Sequence, residues 1–106
     1  MVFVANGNLW KIQYVNSMSN QLLRSDGSRT IAVTDNSVKT IYIADNITGE
    51  LLLKVFCHEL CHVWCFELSL HIPLEFEEIM ADFIATYGRD IIQTADYLFG
   101  NMRMVS

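Results

Sequence analysis

Gly49-Glu50-Leu51-Leu52-Leu53-Lys54-Val55-Phe56-Cys57-His58-Glu59-Leu60-Cys61-His62-Val63-Trp64-Cys65-Phe66-Glu67-Leu68 is the stretch on which the fold turns. It contains neither an internal glycine nor a proline, and its apolar residues recur at helical steps, so it predicts one helix from about Gly49 to Leu68. Asn46 or Thr48 precedes it as a candidate N-cap. On such a helix His58 and His62 are four residues apart and share a face. Two imidazole nitrogens can then reach one metal ion, with Glu59 beside a water molecule that the metal would acidify.

Upstream of this helix the pattern changes to strands. Val2 to Ala5 and Leu9 to Val15 flank Asn6-Gly7, a pair that accepts the positive φ angles of a tight hairpin turn. Trp10, Ile12 and Tyr14 alternate with Lys11 and Gln13, which predicts one buried face. Asn16 to Arg29 is polar, and Met18, Leu22 and Leu23 suggest a short helical turn docked on the sheet. Thr30 to Thr34 and Lys39 to Ala44 are β-branched or aromatic runs around Asp35-Asn36-Ser37, a second hairpin. The expectation is a small, mostly antiparallel sheet.

Downstream, Leu70-His71-Ile72-Pro73 breaks the helix, because the residue before a proline disfavours helix and proline suits a first helical turn. Phe76, Met80, Phe83, Tyr87, Ile91 and Ala95 then recur at three- and four-residue steps, predicting a second long helix to about Asn101 with a kink at Gly88. The fold class is therefore α+β, with the sheet packed on the His58–His62 helix and a following long helix. At 106 residues the chain reads as a single domain, residues 1 to 106.

Composition narrows the function classes. Hydrophobic residues make up 52% and charged residues 18%, as in a globular protein. Net charge is −5, and the seven Lys and Arg are scattered singly, which argues against direct nucleic-acid binding. No apolar run is long enough for a membrane span, and the start lacks the features of a secretion signal. Cys57, Cys61 and Cys65 lie at i, i+4 and i+8, a strip on one helix rather than a disulfide framework. A cytoplasmic protein is expected.

A catalytic zinc site commonly uses three protein ligands. The second helix opens with Glu75, Glu77 and Glu78, and Asp82 follows Glu78 by four residues. H-E-x-x-H followed by E-x-x-x-D on the next helix resembles the gluzincin zinc metallopeptidases. In size and element order the chain looks most like minimal ImmA/IrrE-type metallopeptidase-like proteins of phages and mobile elements. The resemblance implies a zincin-like fold and Zn²⁺ held by His58, His62 and Glu78. It also implies Glu59 as general base and Asp82 as an acceptor for a histidine N–H. Glu77 and His71 stand as alternative ligands.

The reaction implied is hydrolysis of a peptide bond, with a protein or peptide substrate. If Thr40, Ile41, Tyr42 and Ile43 form an edge strand, an extended peptide can add to it. Tyr42, Tyr87 and His71 are candidates for stabilising an oxyanion. Two other readings remain open at this stage. One is a catalytically silent scaffold, a phage-type inhibitor bound to a host target protein inside a bacterial cell; the other is a structural zinc module.

Overall fold

The computed structural model describes residues 1 to 105, with side chains to residue 102. Four strands, β1 (Val2–Ala5), β2 (Asn8–Val15), β3 (Ala32–Asp35) and β4 (Thr40–Ala44), form one sheet in the order β1-β2-β4-β3. Both hairpins form as the sequence predicts. Asn6 and Gly7 take φ values of 51° and 81° to close β1 on β2, and β3 pairs antiparallel with β4.

The central pairing, β2 with β4, is parallel, from Lys11 beside Thr40 to Val15 beside Ala44. The sheet is therefore mixed. After β2 the chain crosses to the far edge before β4 returns between β2 and β3. Leu22, fully buried in a 3₁₀ turn (Asn20–Leu22), pins that crossing against Ala44 and Ile47.

This topology corrects one expectation. Thr40, Ile41, Tyr42 and Ile43 lie in β4, which has a neighbour on each side and offers no free backbone edge. The edges are β1 and β3. Tyr14 also departs from its expected burial at 46% exposed, because β1 ends opposite Lys11 and leaves the distal half of β2 uncovered on that side.

α1 (Gly49–Glu67) packs across the sheet with Thr48 at its N-cap position. Val55 and Val63 enter the main core with Trp10, Ile12, Ile41 and Ile43. A neighbouring line of small residues, Cys61 and Cys65, meets Ala81 of α2 (Leu74–Phe83). Burial and the adjacent Glu77 push the Cys65 thiol up to about 12, so it is a packing group. The helix continues through a π turn (Ile84–Gly88) into α3 (Arg89–Val105). The kink expected at Gly88 is thus a π segment, in which a Cβ on Gly88 would come within 3.2 Å of the Ile84 side chain. Among the described residues no helix is long and apolar enough to cross a membrane.

Candidate metal centre

Periodicity on α1 sorts the motif into two roles. Glu59 lies on the line between Val55 and Val63, so it faces the sheet and is 5% exposed. His58 and His62 occupy the adjacent line, in contact with α2, at the wall of a cavity of about 630 Å³. α2 begins just after Pro73, and its first turns bring Glu77, Glu78 and Asp82 to the same place.

The two imidazoles are held alike. His62 Nδ1 lies 2.5 Å from Glu77 Oε2, and His58 Nδ1 lies 2.9 Å from Asp82 Oδ1. A carboxylate at Nδ1 places the ring proton there and leaves Nε2 with a lone pair. The two Nε2 atoms face each other at 3.2 Å. Glu78 reaches both, with Oε1 2.9 Å from His62 and Oε2 3.2 Å from His58.

Acceptors gathered this closely repel unless a cation or an extra proton lies between them. His58, His62 and Glu78 offer ligand atoms within 4.8 Å of one another and can hold a metal ion. The donor set, two imidazoles and one carboxylate, fits zinc and other borderline divalent metals.

Glu59 approaches from the sheet side. The Thr34 hydroxyl on β3 lies 3.2 Å from Glu59 Oε2 and 3.3 Å from its main-chain carbonyl. Burial pushes the Glu59 carboxyl above its ordinary range, opposed by His62, His58 and the Thr34 hydrogen bond. A carboxylate so placed is poised to take and return a proton beside the histidine pair.

Of the residues singled out from sequence, His58, His62, Glu59, Glu78 and Asp82 converge here. Glu77 sits at the remote nitrogen of His62 rather than beside Glu78, so it orients a ring and is not placed as a ligand. His71 is exposed in the α1–α2 connection and lines no part of the cavity, and neither do Tyr42 and Tyr87. Residues not anticipated as cavity walls are Thr34, Arg24, Lys54 and Thr86. Lys54 was legible in principle, one turn before His58 on the same helical line; Thr34 depends on β3 being the strand over α1. Compared with known proteins, the chain matches no family model, no curated protein and no solved structure.

Proposed function

We propose that this chain is a zinc-dependent peptidase of zincin type, with His58, His62 and Glu78 as ligands and Glu59 as general base. The observation that carries the reading is the convergence of two Nε2 lone pairs and one carboxylate, each imidazole steadied from behind by its own acid. A purely structural site has no use for a fourth, buried carboxylate beside the cluster, whereas hydrolysis needs a proton acceptor there. Bound zinc would supply Lewis-acid polarisation of a carbonyl and acidification of water.

The chain's own groups do the rest. Glu59 accepts the proton of the attacking water and delivers it to the leaving amine, while the Thr34 hydroxyl fixes its carboxylate on the side facing the histidines. Ala32, Val33 and Thr34 of β3 line the cavity, and β3 is an edge strand. An extended peptide adding to β3 would lie along the cavity, held by main-chain hydrogen bonds with little demand on sequence. On this reading the substrate pairs with the free edge of β3 rather than with β4, which has a neighbour on each side.

Glu59→Gln is expected to keep a stoichiometric metal and to lower peptide hydrolysis by at least about 100-fold, the scale of general-base catalysis. His58→Ala should lose the metal. Elemental analysis and a quenched-fluorophore peptide assay read the two effects separately. A peptidase rate untouched by Glu59→Gln would sink the mechanism, and a metal-loaded protein that cleaves nothing would favour the silent binding scaffold.

A further inference from the structure

We propose that α3 is the surface through which two copies of this chain associate. Every residue from Arg89 to Met102 is exposed. Among the described residues, the substantial packing of α3 is confined to its junction with the π turn, and the molecule is drawn out to 55 × 31 × 27 Å. A helix of 17 residues standing alone in water is marginal even with good helix formers, so its order calls for a packing partner.

The uncovered side is a continuous stripe. Ile84, Tyr87, Ile91, Leu98 and Met102 recur at helical steps, with Ile92 alongside, and they are 37%, 54%, 49%, 56%, 68% and 61% exposed respectively. Arg89, Gln93 and Asp96 occupy the opposite side. At roughly 100 Å² for each apolar side chain the stripe presents on the order of 600 Å², close to the ~800 Å² per partner of a stable interface before its polar rim is counted.

The stripe is of the size a small two-fold interface needs, and charge permits a second copy as its occupant. The whole chain carries −5, whereas α3 holds Arg89 and Arg103 against Asp90 and Asp96 and is neutral. Two copies meeting along α3 therefore bring no net like-charge repulsion into the contact. An antiparallel pair opposes the helix dipoles and satisfies two-fold symmetry. With the axis between Thr94 and Ala95, Ile91 of each copy faces Leu98 of the partner subunit, Tyr87 faces Met102 of the partner subunit, and the small Ala95 permits close approach.

Sedimentation equilibrium of the full chain across micromolar concentrations tests this. The expected mass is twice the 12.2 kDa of one chain, and the paired substitution Ile91→Glu with Leu98→Glu should give a monomer whose buried Trp10 keeps its native fluorescence. Leu98→Ala, too mild to unfold the body, should raise the dissociation constant at least about tenfold, while Gln93→Ala on the far side should leave it unchanged. A wild-type monomer throughout, a Leu98→Ala dissociation constant equal to wild type, or a dimer that survives the charged pair would overturn the assignment.

Discussion

Asp82 and Glu77 act on the imidazoles from behind, and each fixes one ring by the nitrogen turned away from the cluster. Such partners set tautomer and ring angle, and their loss typically costs about 10- to 100-fold in metal affinity. Asp82→Ala and Glu77→Ala are each expected to weaken metal binding by that factor without abolishing it, whereas Glu78→Ala, which removes one of the three proposed ligands, should cost more. Competition titration with a chelating dye separates the three. Equal losses for Asp82→Ala and Glu78→Ala would mean that the division into ligand and orienting acid is wrong.

At the scale of elements, the position of α1 over the sheet rests on its last turn. Glu67 sits at a helix C-terminus, where a negative charge is unfavourable, yet its side chain is almost fully covered. Lys39 donates to it at 2.8 Å and Trp10 Nε1 at 2.9 Å, and Asn8 donates to its second oxygen. Hydrogen bonds from Lys39, Asn8 and Trp10, in that order, hold the Glu67 carboxyl down to about 2 from an ordinary 4.5. A carboxyl titrating lower in the folded chain contributes stability that is complete above about pH 4.5. That contribution is lost as pH falls from there towards 2. Wild type should therefore melt above Glu67→Gln at neutral pH, with the gap closing through that acidic window; thermal unfolding followed against pH reads it. A gap that stayed constant down to pH 2 would show that Glu67 anchors the helix by shape alone.

For the whole molecule, the His58, His62 and Glu78 group ties two parts of the chain together, beside the apolar contact of Cys61 and Cys65 with Ala81 and Met80. His58 and His62 belong to the sheet–α1 body, and Glu78 to the helix that leads out through the π turn. A ligand that binds only the folded state stabilises it by about 2.7 kcal/mol at 100 times its Kd. In a domain of this size that is a rise in Tm of roughly 10 °C or more. Zinc should produce such a rise in the wild type and none in His58→Ala, measured by calorimetry. An equal rise in both proteins would assign the stabilising metal to another place.

Local order was legible from the sequence because its causes are local. Asn6-Gly7 closes a hairpin by its own φ preferences, the run from Gly49 to Glu67 forms a helix by its period, and that period puts His58 and His62 on one face. Acid spacing after Pro73 likewise announced Glu78 and Asp82. Tertiary structure alone decided the rest. Alternation marks a strand's faces but not its neighbours, so the parallel insertion of β4 and the free edge of β3 were settled by Leu22 docking and by which side chains share the core. Glu77 and Glu78 are adjacent acids with the same chemistry, and only the distance between α1 and α2 gave one to the remote nitrogen of His62 and the other to both Nε2 atoms. An amphipathic pattern from Ile84 to Met102 promises a buried face without saying what buries it, and among the described residues the substantial packing of α3 is with the π turn alone. Period is a property of neighbours in sequence, whereas burial and partnership depend on which distant segments arrive.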